Sequence, residues 1–282
     1  QEKHSASLVD ASSALICRIK DKIDNDGLIS TGWPALDSLF GGGLLPNELV
    51  IIAARPSGGK TAAALQIALD CNQRVVLFSL EMSLEQISPR LLSAIALQNT
   101  KIAARRPSQI SEETRKRLLC SNVDLLQASE RIIIYDQHSQ TIESIRRCAR
   151  KEVEAGAKIV ILDYLQLLDK KAESRERAVS QISRELKNMA KELNTPVICL
   201  AQMNRQAEAD NRPPRLSDLR ESGAIEQDAN AVLFIHHDKT TPASSGCKKV
   251  QLLLAKGRDV GTGIRYQIFN TDHQRFYEID PR

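Results

Sequence analysis

The sequence predicts an α/β fold: a mostly parallel central sheet with helices on both faces and an antiparallel C-terminal extension. Three observations carry this. From residue 48 onward, short apolar runs alternate with helical segments, the order that builds parallel sheets through helical crossovers. Those runs are apolar on both faces, as strands covered on two sides must be. The last three runs follow one another with no helix between them, which marks consecutive antiparallel strands on a sheet edge.

Taken in order, residues 1–25 read as an amphipathic helix, with Leu15, Ile19 and Ile23 at helical spacing and Arg18, Lys20, Asp21 and Lys22 on other faces. Asp24-Asn25-Asp26-Gly27 breaks it. Residues 1–26 are thus a helix and hinge, and 27–282 the main domain. The single apolar stripe must be buried, either on its own domain or on a neighbour. Strands are predicted at 49–54 (LVIIAA), 75–79 (VVLFS), 132–135 (IIIY), 159–163 (IVILD), 197–201 (VICLA) and 231–235 (AVLFI). The extension comprises 250–255 (VQLLLA), 264–269 (IRYQIF) and 276–279 (FYEI). Between the strands, the clearest helix is 176–193, where Val179, Ile182, Leu186, Met189 and Leu193 share one face.

Of the 282 residues, 42% are hydrophobic, 26% charged and 4% aromatic, which excludes collagen-like, disordered and disulfide-scaffold classes. No apolar run approaches the roughly 18 residues of a membrane span. The net charge of +4 is too small to identify a nucleic-acid partner, whose footprint is a basic cluster. The six cysteines form no CxxC pair and read as free thiols in a reducing compartment. With no signal-peptide core at the polar N-terminus, a cytoplasmic protein is expected. The first residue is Gln rather than Met, as expected of a fragment or a processed product.

The strongest motif is Ala54-Arg55-Pro56-Ser57-Gly58-Gly59-Lys60-Thr61, which ends one predicted strand and opens the helix Thr61 to Asp70. Gly58 and Gly59 let backbone N–H groups converge on phosphate oxygens. Lys60 supplies a charge to the β- and γ-phosphates, and Thr61 a hydroxyl for Mg²⁺. Asp163 ends the strand IVILD, where a carboxylate can complete the Mg²⁺ shell. Glu81 follows the strand VVLFS and Gln202 the strand VICLA. Glu81 is either a base that orients water or a carboxylate favoured by the next helix's dipole. Gln202 is either a γ-phosphate sensor or a strand-end amide, and spacing alone leaves both pairs of readings open.

The blocks STGWPALDSLFGGGLLPNELVIIAARPSGGKT, FSLEMS, IVILDYLQLL, ICLAQMNR and DLRESGAIEQDAN together resemble the motor domain of DnaB-type replicative DNA helicases. The similarity runs from about Gly27 to about Phe269. LRESGAIEQDA is its most specific part, because unrelated families share the phosphate loop. The resemblance implies a RecA-like P-loop ATPase core that uses ATP and Mg²⁺, with Glu81 as catalytic base and Gln202 as γ-phosphate sensor. It places Arg220, Glu221 and Gly223 on a loop gripping the backbone of single-stranded DNA. It implies a hexameric ring, active sites between subunits, 5′ to 3′ translocation, and a helicase loader and primase as partners. Lys256 and Arg258, in a stretch similar to the family's K-x-R-N-G-P-T-G, become fingers reaching a neighbour's γ-phosphate. Residues 8–25 look like the family's linker helix, and the resemblance does not extend to its primase-recruiting N-terminal domain.

The sequence departs from the family at several points. Asp259, Val260 and Gly261 replace N-G-P in the finger turn, Gly58 stands where Met is common, and Asn230 replaces the usual Asp, removing any charge role there. A RecA-like recombinase and a nucleotide-switched DNA-binding module with weak hydrolysis are the competing readings. His236-His237 read as a solvated strand end, Arg105, Arg106, Arg115, Lys116 and Arg117 as a solvated helix face, and Trp33 as packing.

Overall fold

The computed structural model describes residues 27–99, 107–137, 140–163, 175–204, 212–219, 222–237 and 246–279. The helix and hinge expected at 1–26, together with Arg105, Arg106, Arg220 and Glu221, lie outside the described residues.

Among the described residues, nine strands form one sheet in the order β3-β2-β4-β5-β1-β6-β7-β8-β9. They are β1 (Leu49–Ala54), β2 (Arg74–Ser79), β3 (Ile132–Tyr135), β4 (Ala157–Asp163), β5 (Val197–Gln202), β6 (Ala231–His237), β7 (Cys247–Gly257), β8 (Gly263–Asn270) and β9 (Arg275–Glu278). The first six pair in parallel, and β6 to β9 pair antiparallel. The described helices are α1 (Pro34–Leu39), α2 (Lys60–Asp70), α3 (Leu84–Ala96), α4 (Glu112–Ser129), α5 (Ile142–Glu154), α6 (Arg175–Leu193) and α7 (Ser222–Asp228). None of them is long and apolar enough to cross a membrane.

Alternate residues of each strand serve two cores. Val50, Ile52 and Ala54 of β1 face α1 to α4, whose Leu36, Leu65 and Leu91 join that core. Leu49, Ile51 and Ala53 face α5, α6 and α7, with Ile145, Leu186 and Ile225. The predicted stripe Val179, Ile182, Leu186, Met189 and Leu193 is buried throughout. Strand β7 is longer than its apolar run because β6 and β8 pair with it on both edges, so hydrogen bonding carries it past the run of buried side chains.

Two features of the sequence resolve as local structure. Arg115 and Arg117 lie on exposed α4 beside Glu112 and Glu113, at 3.9 and 2.7 Å, so that part of the basic cluster is a solvated helix face. Trp33 is 2% exposed, packs on Phe276 with centroids 4.9 Å apart, and donates its indole N–H to Gln267 Oε1 at 3.3 Å.

Gly32 fixes where the chain enters this packing. Its φ is +70°, and an added Cβ would lie 2.1 Å from the carbonyl oxygen of Asp70, which is backbone and cannot yield. Gly32→Ala is therefore expected to lower unfolding free energy by about 2 kcal/mol or more, from strain and overpacking combined. Urea denaturation checks this, and an unchanged midpoint would contradict the close approach.

Candidate functional site

The loop after β1 alternates in handedness, with Ser57 at φ +59° and Gly59 at φ +95°. Non-glycine residues seldom adopt a positive φ, and such strain persists where function holds it. Alternation of this kind turns successive N–H groups to one side, forming an anion-binding concavity at the start of α2. The Gly58 N–H closes the turn on the Arg55 carbonyl at 2.8 Å. The Arg55 guanidinium donates to the carbonyls of Met203 and Asn204, at 3.2 and 2.8 Å, so this side chain ties the loop to the end of β5.

Lys60 and Thr61 open α2 facing two carboxylates. Lys60 Nζ lies 3.1 Å from Asp163 Oδ1 and 3.2 Å from Glu81 Oε2. The Thr61 hydroxyl donates to Asp163 Oδ2 at 2.7 Å. The Asp163 side chain is 2% exposed and that of Glu81 50%. One carboxylate is thus fixed by two donors at the base of the site, while the other stays accessible to water. Strand order explains the convergence, since β2, β4, β5 and β1 are consecutive neighbours and end at Ser79, Asp163, Gln202 and Ala54. Pro56 and Ser57 lie in the loop, and Gln202 pairs with Ala54 at the same edge.

A hydroxyl and a carboxylate in contact are the hard oxygen donors that suit Mg²⁺, which keeps waters and phosphate oxygens as its other ligands. Among the described residues no three His, Cys, Asp or Glu side chains gather as a metal cage. A cation here would rest on Thr61, Asp163 and a nucleotide.

His237 corrects the reading of a solvated strand end. It is half-buried, with Nε2 3.1 Å from the Gly58 carbonyl oxygen and its ring edge-on to Phe269 at 6.4 Å. Burial pushes its pKa below the ordinary imidazole value. Nothing in the sequence separates His236 from His237; the strand's alternation, which aims His237 to the same side as Ile235, is the one signal.

Lys256 and Arg258 occupy the opposite edge of the sheet. Lys256 pairs with Val232, near the start of β6, level with the start of β1. A strand of six residues separates that edge from the phosphate loop by roughly 17–20 Å, beyond the reach of either side chain. Lys256 Nζ donates to the carbonyls of Glu226 and Ala229, and Arg258 Nη2 to Gln227 at 3.0 Å. Both cations cap the C-terminus of α7, where carbonyls lack partners and the helix dipole favours positive charge. Lys187 from α6 joins them by bonding Asn230 Oδ1. Burial, then the Arg258 charge, holds Lys256 and Lys187 below the usual lysine pKa.

Gly223 lies in the first turn of α7 and is exposed, and a Cβ there would meet open space, so packing does not demand glycine. The segment before it is fastened to the site edge: Met203 bridges Leu219, and the Asn204 N–H donates to the Asp218 carbonyl at 2.9 Å. Arg212 forks onto buried Asp218 at 2.7 and 3.0 Å and holds its pKa below the usual carboxylate range. The sequence reading missed this pair, which carries no motif.

A strand–loop–helix anion cradle, with a carboxylate at the end of the strand two places away and a sheet of this order, defines a RecA-like P-loop nucleotide-binding core. Residues 28–278 match the family model for the DnaB-like helicase C-terminal domain, and the chain belongs to that family. It is 36% identical to the replicative DNA helicase DnaB of Geobacillus stearothermophilus, over all of this chain and 64% of that protein. It is 36% identical to the replicative DNA helicase DnaC of Bacillus subtilis, over 90% of this chain and 57% of that one. The chain thus spans somewhat over half the length of these relatives. Among solved structures, a DnaB-like replicative helicase described with its primase interactions superposes with a TM-score of 0.86 at 32% identity, covering 99% of this chain and 68% of the other. A separately solved ATPase domain gives 0.85 at 32% identity, covering 99% of this chain and all of that one.

Glu48 tests the charge balance at the opposite edge. Burial, then the nearby Asp259 charge, raises its pKa above the ordinary 4.5. A raised folded-state pKa contributes stability below the ordinary value, and that stability is lost as pH rises through the folded one. Glu48→Gln is therefore expected to raise the thermal midpoint at pH 8 by roughly 1–3 °C, with the difference shrinking on acidification. A variant no more stable than the parent at pH 8 would refute the assignment.

Proposed function

We propose that this chain is the ATP-hydrolysing motor of a replicative DNA helicase, acting as a hexameric ring that translocates 5′ to 3′ on single-stranded DNA in the cytoplasm, with a helicase loader and primase as partners. One observation carries the proposal: the phosphate loop and the finger cations Lys256 and Arg258 lie on opposite edges of one sheet. A site that needs both is complete only between two copies of the chain. Such a head-to-tail contact uses different faces on each copy and generates a ring when the rotation closes.

In this reading the loop N–H groups and Lys60 hold the β- and γ-phosphates of ATP. Thr61 and Asp163 would hold Mg²⁺, which would supply positive charge beside those phosphates. Glu81, accessible beside Lys60, orients the attacking water and accepts its proton. Lys256 and Arg258 of a neighbouring copy meet the charge that develops on the transferred phosphoryl group. Gln202 senses loss of the γ-phosphate at the end of β5. The Met203–Leu219 bridge and the Asn204–Asp218 bond then pass strand movement to Arg220, Glu221 and Gly223. Contacts from there to DNA phosphates give grip without sequence preference.

Two experiments test this. Lys60→Ala has no working phosphate loop but keeps its fingers, and the double variant Lys256→Ala/Arg258→Ala has the reverse. Each alone should lose turnover; an equal mixture should regain about a quarter of it, the share of interfaces that pair an intact loop with intact fingers. Single-stranded DNA should stimulate the regained activity. Turnover in the finger variant unchanged from the parent's would rule out fingers acting in trans and favour the nucleotide-switched module. In the second experiment, Glu81→Gln should bind ATP normally while turnover falls about 10²-fold or more, and failure to bind would assign Glu81 a structural role.

A further inference from the structure

The phosphate loop has an anchor that its own motif does not contain. His237 ends β6, two residues beyond Ile235, which pairs with Ala54 at the start of the loop. The alternation of the strand puts His237 on the side where α2 begins, and its Nε2 reaches the Gly58 carbonyl at 3.1 Å. A carbonyl oxygen only accepts, so the imidazole carries its proton on Nε2 and donates it. Phe269 of β8 braces the ring.

The next residue is held from the same side. Gly59 has φ +95°, and an added Cβ would lie 2.8 Å from Phe276 Cζ and 3.4 Å from the Phe269 ring. These rings stack on each other with centroids 4.6 Å apart. The Gly58–Gly59 peptide is thus gripped at its carbonyl and backed by an aromatic surface at its following α-carbon.

A trans peptide is planar, and its C=O and N–H point in opposite directions. A carbonyl turned onto His237 therefore turns the Gly59 N–H to the far side of the loop, away from the strand. We propose that His237 is a positioning residue for nucleotide binding, which fixes the Gly58–Gly59 peptide so that the Gly59 N–H is aimed at a phosphate oxygen before the nucleotide arrives. Without this bond the peptide can rotate, because Gly58 and Gly59 both lack the Cβ that would restrict it. Nucleotide binding would then have to order the peptide itself and lose affinity in proportion.

The inference rests on the ATPase reading, and direct binding of a fluorescent ADP analogue separates the two. His237→Phe keeps a ring against Phe269 but has no donor. In His237→Gln the amide nitrogen sits at the reach of Nε2; in His237→Asn it falls short. Affinity should be about 3- to 10-fold weaker in the Phe and Asn variants, the range of one hydrogen bond, and within about 2-fold of the parent in Gln. In turnover the same pair should show a raised KM for ATP with kcat little changed. If Phe does not fold, Gln against Asn still decides. Equal affinity in Asn and Gln, or losses that follow the thermal midpoint instead of donor reach, would overturn the proposal. A parent protein that binds no nucleotide would overturn the ATPase reading and this inference together.

Discussion

A loop that binds phosphate through its backbone cannot use the same N–H groups to order itself. This constraint shapes the structure around residues 55–59. A buried backbone donor must find a partner; the Gly58 N–H finds one in the Arg55 carbonyl, but donors kept for the ligand add no such order, so further rigidity has to come from outside. The structure supplies it from three directions: Arg55 reaches the carbonyls beyond β5, His237 holds the Gly58 carbonyl, and the Phe269–Phe276 pair backs Gly59. The antiparallel extension thereby gains a purpose beyond closing the sheet edge. Gln66 in α2 strengthens the link, since its side-chain amide accepts from the Phe276 N–H at 2.7 Å and donates to the Phe276 carbonyl at 3.2 Å. The phosphate-loop helix and β9 are therefore bonded as neighbouring strands would be, at a site where no strand lies.

The second organising feature is polarity across the sheet. Every strand of the parallel half ends at the phosphate-loop edge, so Lys60, Thr61, Asp163, Glu81 and Gln202 gather there, while strand starts gather at the other edge. Helix α7 connects the two. Its first turn follows the segment pinned to Met203 and Asn204, and its last carbonyls hold Lys256 and Arg258. Arg258 is exposed there, and an exposed cation on a helix C-terminus is worth about 0.3–1 kcal/mol, a weak hold that a phosphate could replace. In a ring, a shift of α7 would be felt at both ends, by the loop proposed to touch DNA and by the cations proposed to touch a neighbour's nucleotide.

Much of the fold was legible because its strands are buried on both faces. LVIIAA and IVILD can hardly be anything but interior strands, and they appear as β1 and β4. The cradle was legible because Ser-Gly-Gly-Lys-Thr sits between a strand and a helix, and the Lys60, Thr61 and Asp163 contacts follow from that placement. What could not be read were contacts between elements distant in sequence. The His237–Gly58 bond spans 179 residues and the Gln66–Phe276 pair spans 210. Neither has a local pattern, and a histidine beside a histidine at a strand end resembles ordinary surface. The location of Lys256 and Arg258 was equally hidden, because a turn between two strands reads as solvent until the strand register shows which edge it occupies.

Asn230 shows what remains when a charge is replaced by an amide of the same shape. An aspartate at this position would bring a negative charge to Lys187, and the sequence alone implies that its replacement removes an interaction. In the fold, the Asn230 side-chain oxygen still accepts two bonds, from the Leu49 N–H at 3.1 Å and from Lys187. The amide therefore keeps the acceptor that ties the start of β1 to α6 and loses only the charge. Removing one partner's charge from a partly buried ion pair leaves the other poorly compensated, and Lys187 is held below its usual pKa by burial and by the cations around it, against which the Glu48 carboxylate acts. Glu48 offsets part of that cation charge but, with its pKa raised by burial and then by Asp259, is itself unfavourable on balance when ionised.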